Sequence, residues 1–182
     1  MQVTRFHIEG PVLLEPQVFH DSRGYFFESY SKERFESIGI HDDFVQSNQS
    51  LSQKDVLRGL HFQAAPFAQS KLVRVIKGAV LDVIVDIRTG SPTYGQYLSA
   101  VLSEENKQMF YIPVGFAHGF LTLENQTIFT YKCGNYYNKA SEAGIMWNDP
   151  EIGIDWGIKK PLVSEKDQVN ERFLNFKSPF HF

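Results

Sequence analysis

Short apolar segments, separated at close intervals by turn residues, dominate the pattern of this chain. The segment KLVRVIKGAVLDVIVDIR (71–88) is rich in valine and isoleucine, and it predicts two strands joined at Lys77 and Gly78. Comparable segments continue as far as QTIFTYKCGNYY (126–137). Strands this short and this regularly separated, with few helix signals, predict an all-β sandwich or barrel such as a jelly roll.

Helix signals occur at only two places. Ser31 is a favourable N-cap and Gly39 a favourable C-terminal stop, so a short helix is expected over 32–38. Ser164 and Asp167 match a capping box, which predicts a final helix and gives Asp167 a structural role. The expected fold is therefore all-β with a few short peripheral helices.

The amino-terminal part of the chain predicts a strand and a charged turn. PVLLEPQVF (11–19) is expected to form an edge strand, because Pro11 and Pro16 cannot donate the hydrogen bonds of a central one. The turn HDSRG follows, and Arg23 and Glu28 flank the aromatic run after it. Charges in such positions are typical of a solvated turn and rim.

The segment VLRGLHFQ (56–63) has polar residues where a plain strand would have only packing residues. In a regular strand, Arg58 and His61 point to opposite faces because successive side chains alternate. If both side chains serve one pocket, something must break that alternation. Gly59 is the candidate, as a bulge or a close backbone approach.

Composition limits the classes of partner. The 182 residues fit one domain (1–182) with a buried core, and 42% hydrophobic residues argue against disorder. A net charge of −3, without a basic run, predicts neither nucleic-acid nor membrane binding. Cys133 is the only cysteine and the amino terminus lacks an apolar signal segment, so a cytoplasmic location is expected.

Two histidines lie in β-like apolar settings, and they first suggest a metal site. PVGFAH (113–118), with His118, resembles the second motif of cupin barrels, where a histidine at this spacing is often a metal ligand. The partner motif normally supplies two histidines and a carboxylate, whereas this chain has only His61, Phe62 and Gln63. Since a catalytic metal usually needs three protein ligands, we expect a cupin-like barrel without a metal.

Without a metal, His61 is a candidate general base, because imidazole titrates near neutral pH. Lys71 can stabilise a developing oxyanion, and a tyrosine such as Tyr131 can return a proton. These roles together describe proton abstraction beside a carbonyl. Nucleophilic attack by Cys133 is a weaker alternative, because a cysteine in a β-run is usually a small buried hydrophobe.

Nine segments stand in the order in which they occur in one family: DSRGYFFE, FVQSNQS, VLRGLHFQ, AQSKLVRVIKG, VDIRTGSPTYG, IPVGFAHGF, YKCGNYY, WNDPEIGIDW and LVSEKD. Over nearly its whole length the chain thus resembles the dTDP-4-dehydrorhamnose 3,5-epimerases. The resemblance implies a jelly-roll homodimer without metal or other cofactor. Its substrate would be a 4-keto-6-deoxy sugar attached to dTDP, inverted at C3 and C5. Gly157 departs from the proline that the family often has there, and it touches no proposed catalytic group.

The resemblance also implies roles for individual residues. His61 corresponds to the base, Asp167 to the carboxylate that orients it and Tyr131 to the general acid. Lys71 and His118 match residues around the keto group. The matches to nucleotide and diphosphate contacts are Arg23, Glu28, Gln46, Asn48, Arg58, Glu142 and Lys166. On the residues alone, amides such as those of FVQSNQS are typical of the exposed face of a strand.

Several alternatives remain open at this stage. Close relatives invert only C3 or only C5, and Phe19, Phe26 and Tyr137 are candidates for shaping that choice. Some family sites draw residues from both subunits, which would give Arg58 a second explanation beside a bulge. A metal-dependent cupin and a sugar-nucleotide-binding module without catalysis are the alternatives from other classes.

Overall fold

The computed structural model describes residues 1–182 and consists almost entirely of strands. In chain order these are β1 (Gln2–Arg5), β2 (Val12–Glu15), β3 (Phe19–Asp21), β4 (Gly24–Phe26), β5 (Gln46–Ser52), β6 (Val56–Gln63), β7 (Lys71–Lys77), β8 (Ala79–Asp86), β9 (Arg88–Thr89), β10 (Tyr97–Ser103), β11 (Met109–Ile112), β12 (Phe116–Thr122), β13 (Thr127–Cys133), β14 (Glu142–Gly144), β15 (Leu162–Val163) and β16 (Phe180–His181). The helical elements are α1 (Lys32–Ser37) and the 3₁₀ helix η1 (Phe173–Asn175). The all-β architecture with short helices is as predicted.

Two main sheets form the fold. The first has the strand order β1-β2-β11-β7-β13-β5, and the second has the order β10-β8-β12-β6-β14, with β15 also pairing with β6. The β3–β4 hairpin and the β9–β16 pair stand apart from both. The main-sheet pairs are antiparallel except for β15 with β6.

The central strands β8 and β12 of the second sheet are buried on both faces. On β8, Val80 and Ile84 pack between the two sheets, while Val83 and Val85 pack in a separate core on the outer face. The carboxy-terminal segments cover that outer core, for example through the buried Trp156. Burial on both sides explains why β8 is an almost continuous apolar run rather than an alternating one.

The predicted edge strand is wrong. Strand β2 pairs with β1 on one side and β11 on the other, so it lies inside the first sheet. The two prolines do not interrupt it because Pro11 precedes the strand and Pro16 follows it. The prediction failed because both prolines were counted as strand residues, and the strand proper is only Val12–Glu15.

One of the two predicted helices forms. Helix α1 ends at Ser37, one residue before the predicted helix end at 38, and Gly39 adopts a positive φ of 89°. The predicted final helix is wrong, since residues 164–168 form a turn and only η1 follows. Ser164 Oγ accepts a bond from the Asp167 amide at 3.2 Å, but the Asp167 carboxylate turns inward to His61 and does not complete the capping box. Neither helical element is long and apolar enough to cross a bilayer.

Candidate active site

A cavity lies between the two sheets where their inward-facing side chains change from apolar to polar. On β7, buried Val75 and Val73 are followed by Lys71, and on β13 buried Phe129 is followed by Tyr131. The cavity has two adjoining compartments of about 350 and 530 Å³. The residues that line both compartments are His61, Lys71 and Tyr131. Three strands thus bring the sequence-predicted base, cation and acid together.

A bulge in β6 puts Arg58 and His61 on the same face. On β12, His118 and Phe120 are two residues apart, yet they pair with His61 and Arg58, which are three apart. The extra residue lies at Gly59, whose φ is 139° and where an added Cβ would stand 2.5 Å from the Gly119 Cα. The predicted break at this glycine is confirmed. One chain therefore supplies both side chains to one cavity.

His61 makes a short bond to a carboxylate that is distant in sequence. Its Nε2 lies 2.5 Å from Asp167 Oδ1, and the bulged Gly59 amide donates to Asp167 Oδ2 at 3.4 Å. Burial opposes ionisation of Asp167, but the bonds from His61, the Gly59 amide and the Ser164 side chain outweigh it and lower its pKa. Asp167 therefore remains a carboxylate, which holds Nε2 as a donor and leaves the His61 Nδ1 lone pair free.

Lys71 is a basic side chain without an acidic partner. It forms no ion pair, and its Nζ lies 6.0 Å from the centre of the Tyr131 ring. Burial lowers the pKa of Lys71, and the fields of Cys133, Asp82 and Glu142 offset part of that shift. Burial also raises the pKa of Tyr131, so its phenol keeps its proton. A lysine without an acidic partner, beside a phenol that keeps its proton, is suited to stabilising the oxygen of an enolate while the phenol returns a proton to carbon.

A second histidine–aspartate pair lies beneath the cavity. His118 Nε2 is 2.9 Å from Asp82 Oδ2, and both side chains are buried. The other oxygen, Asp82 Oδ1, has no hydrogen-bond partner. Burial raises the pKa of Asp82 and lowers that of His118, so both shifts favour a pair without charge.

Comparison with known proteins identifies the family. The family model described as dTDP-4-dehydrorhamnose 3,5-epimerase matches residues 5–175. The chain belongs to this family. The epimerase from Salmonella typhimurium is 53% identical over 92% of each chain, and the one from Shigella flexneri is 47% identical over 96% of this chain and 97% of its own. The family is one of isomerases, so the chain is an epimerase.

A solved structure agrees with the architecture. The crystal structure of dTDP-6-deoxy-D-glucose-3,5-epimerase from Legionella pneumophila, in complex with dTDP-4-keto-L-rhamnose, has a TM-score of 0.93 and 45% identity. The match covers 97% of this chain and 94% of that chain. The predicted cupin-like jelly roll is confirmed.

Polar side chains form the rim of the epimerase cavity. Glu142 Oε1 lies 2.6 Å from Lys166 Nζ, and Tyr137 donates to Glu142 Oε2 at 3.0 Å. Burial opposes ionisation of Glu142, but the bonds from Lys166 and Tyr137 outweigh it and lower its pKa. Gln46 and Asn48 also line the smaller compartment, joined by a bond of 3.0 Å. These four predicted nucleotide contacts therefore lie around one cavity.

Two predicted contacts lie outside the cavity of their own chain. Arg23 is on the β3–β4 hairpin, where its side chain is 88% exposed and paired with Asp21. Glu28 is paired with Arg34 at 3.1 Å.

Several cavity residues were not predicted. Ser50 and Gln63 line the cavity. Ser52, further along β5, is buried, and its Oγ accepts two bonds from the Arg58 guanidinium. The period of two along β5, from Gln46 through Ser52, was the sequence signal for this row. No group of three or more His, Cys, Asp or Glu side chains is arranged to hold a metal ion.

Proposed function

We propose that this chain inverts C3 and C5 of dTDP-4-dehydro-6-deoxy-D-glucose to give dTDP-4-dehydro-L-rhamnose. The observation that carries the proposal is the convergence of His61, Lys71 and Tyr131 on one cavity, with Asp167 bonded to the histidine. Each inversion removes the proton beside the C4 ketone and returns one from the opposite face. The reaction needs a base, a stabiliser of the enolate and an acid, and the cavity has one residue suited to each role.

His61 is the base. With Nε2 bonded to Asp167, the neutral imidazole presents Nδ1 to accept the proton from the sugar carbon. The imidazolium that forms is stabilised by the Asp167 carboxylate, which itself stays unprotonated. Asp167 is therefore a positioning and charge-stabilising residue in the proposal.

Lys71 stabilises the enolate. The electrons of the broken C–H bond move to the C4 oxygen, and an ammonium held in a largely dry site interacts strongly with that charge. Lys71 is suited to this role because no carboxylate of its own chain neutralises it. Its interaction is stronger with the enolate than with the ketone, which is the requirement for catalysis.

Tyr131 is the acid. It lies on β13 in the first sheet, across the cavity from His61 on β6 in the second, so the two approach the sugar from opposite sides. The phenol donates its proton to the enolate carbon while the C4 ketone re-forms. Exchange with solvent then reprotonates Tyr131 and discharges His61 before the next inversion.

The remaining polar residues are proposed to hold the nucleotide. Arg58 and Lys166 line the larger compartment and supply positive charge for a diphosphate. Gln46, Asn48 and Glu142 line the smaller compartment and offer hydrogen bonds to the nucleoside. His118, at the base of the larger compartment, is proposed to contact the sugar near its keto group.

We also propose a homodimer in which the hairpin of one subunit completes the cavity of the other. The β3–β4 hairpin has exposed aromatic side chains, with Phe19 55% and Phe26 69% exposed, beside Arg23. Exposed apolar groups next to a cation suit a surface that covers a nucleotide site in a second copy. Glu28 would approach with the same segment. The cytoplasmic location expected from the sequence also stays a proposal.

Proton exchange tests the proposed reaction. The protein is incubated with dTDP-4-keto-6-deoxyglucose in heavy water, and the position of deuterium is determined by nuclear magnetic resonance. Deuterium at both C3 and C5 of the product is expected. Label at one carbon would indicate a mono-epimerase, and saturable binding without label would indicate a binding module. Turnover that stops when a chelator removes a stoichiometric metal would contradict the proposed mechanism.

A further inference from the structure

Three glutamine side chains hold the main chain of one short segment, residues 135–138. Gln69 Nε2 donates to the Asn135 carbonyl at 2.7 Å. Gln63 Nε2 donates to the Tyr136 carbonyl at 3.1 Å, and Gln63 Oε1 accepts from the Asn138 amide at 2.7 Å. Gln46 Oε1 accepts from the Tyr137 amide at 2.9 Å. Every residue of the segment is thus bonded through its backbone to a glutamine.

The three glutamines come from different parts of the fold. Gln46 begins β5, Gln63 ends β6, and Gln69 lies in the connection between β6 and β7. The segment 135–138 is consequently fixed to both main sheets, because β5 belongs to the first and β6 to the second. We call this arrangement the glutamine cradle.

Gln63 is its central member. The side chain is buried, and its amide also donates to the Phe67 carbonyl at 2.7 Å. All of its partners are backbone atoms, so it sets the path of the chain and does not read the side chains of the segment. If the segment moved, the buried Gln63 amide would lose these partners and its polar atoms would be left unpaired. The cost of unpaired buried polar atoms therefore favours a single position of the segment.

The glutamine cradle holds the backbone of a residue whose side chain lines the cavity. Tyr137 stands between the two residues that Gln63 bonds, and its side chain lines the smaller compartment together with His61 and Gln63. The residue is 55% exposed and stacks on no other aromatic ring of the chain. Apart from the bond to Glu142, the position of this ring depends on its backbone.

We propose that Gln63, supported by Gln69 and Gln46, is a positioning residue that fixes Tyr137 as a wall of the cavity beside His61. The wall limits where a bound substrate can lie relative to the base. The inference rests on the proposed function, because its effect is read in that reaction. Displacement of a substrate by about 1 Å can cost about 100-fold in rate, so backbone bonds remote from the chemistry can matter this much.

A double-mutant cycle tests the inference. We expect Gln63→Met and Tyr137→Ala each to lower kcat/KM by about 10-fold to 100-fold. If Gln63 acts through Tyr137, adding Gln63→Met to Tyr137→Ala changes kcat/KM by less than about twofold, because coupled residues are not additive. Gln49→Met, on the exposed face of β5, is the matched control and should retain wild-type kcat/KM.

Two outcomes overturn the positioning role. One is an additive loss in the double variant, and the other is wild-type kcat/KM in Tyr137→Ala. If Gln63→Met does not fold, as judged by circular dichroism, Gln69→Met replaces it in the same cycle, because it removes a single bond to the segment. If the wild type is active and the losses in the double variant are additive, only the positioning role is wrong. If the wild type incorporates no deuterium, the proposed function itself is wrong.

Discussion

The two histidine–aspartate pairs have their histidines on neighbouring strands, and the surroundings of the two pairs differ. His61 on β6 and His118 on β12 are directly opposite each other in the sheet register. The His61 side chain is 28% exposed and faces the cavity, whereas that of His118 is 6% exposed. The partner of His61 comes from a turn more than a hundred residues away, and that of His118 comes from the adjacent strand β8.

The surroundings of the two carboxylates explain the difference. The Asp167 carboxylate accepts bonds from His61 and from the Gly59 amide, and these lower its pKa despite burial. Asp82 has one oxygen without a partner, and burial raises its pKa. The same two residue types therefore form one pair in which ionisation of the aspartate is favoured and another in which burial disfavours it. Hydrogen bonds to the carboxylate, rather than residue identity, distinguish them.

The largest effect should come from removing the two histidines in turn. His61→Asn should lower kcat by about 1,000-fold or more, because general base catalysis contributes about 100-fold to 10,000-fold. His118→Asn should cost less than about 100-fold, because it removes a proposed sugar contact and not the proposed proton acceptor. Steady-state turnover and deuterium exchange at C3 and C5 would be measured in both variants.

The exchange measurement separates the pairs more sharply than the rates do. His118→Asn should still exchange deuterium at the same carbons as the wild type, whereas His61→Asn should exchange none within the same time. If His118→Asn lost exchange as completely as His61→Asn, the proposed difference in role between the two histidines would be wrong. Circular dichroism serves as the check that each variant folds.

Lys71, which lines the larger compartment with both histidines, gives the next effect. Burial lowers the pKa of Lys71 below its usual 10.5, whereas that of Tyr131 is raised above 10.0. As the pH rises, Lys71 should therefore lose its proton before Tyr131 does. The resulting decrease in kcat should begin at a pH lower than 10.5. In Lys71→Arg the guanidinium stays charged, so the alkaline fall in kcat should move to higher pH.

The shape of the pH profile is the decisive observation for Lys71. The arginine variant should be about 10-fold slower, because its planar group cannot occupy the same position as an ammonium. An active Lys71→Arg enzyme whose alkaline limb coincides with that of the wild type would remove Lys71 as the titrating group. Lys77→Arg, on the exposed end of the same strand, is the matched control.

Local sequence patterns predicted much of this structure. The features that they missed depend on contacts between residues distant in sequence. Valine-rich runs and turn residues predicted β7 and β8, and Gly59 predicted the bulge. The capping-box pattern at Ser164 predicted a helix that does not form, because Asp167 bonds to His61 instead. A competing partner distant in sequence cannot be recognised from local spacing.

The glutamine cradle illustrates the same limit on a larger scale. Gln46, Gln63 and Gln69 occur at positions where a glutamine is usually an exposed strand or loop residue. Their common target, residues 135–138, becomes visible only when both sheets are assembled. By contrast, the row of inward polar residues on β5 could have been predicted from its period of two.

The smallest effect is on stability, and its sign differs between the two aspartates. The lowered pKa of Asp167 means that its carboxylate stabilises the fold above pH 3.8, and that this contribution is lost as the pH falls through the folded-state value. Asp167→Asn should therefore be less stable than the wild type at neutral pH, by about 1 to 3 kcal/mol, and should approach it in acid.

Asp82→Asn should behave in the opposite way. The folded protein binds the Asp82 proton more tightly than the unfolded chain does, so the wild type loses stability as the pH rises from 3.8 through the raised pKa. The asparagine variant lacks this loss, and its stability relative to the wild type should increase over the same range. Urea unfolding of both variants from acid to neutral pH measures the two slopes. If both differences change with pH in the same direction, the contrast in charge state between the pairs is wrong.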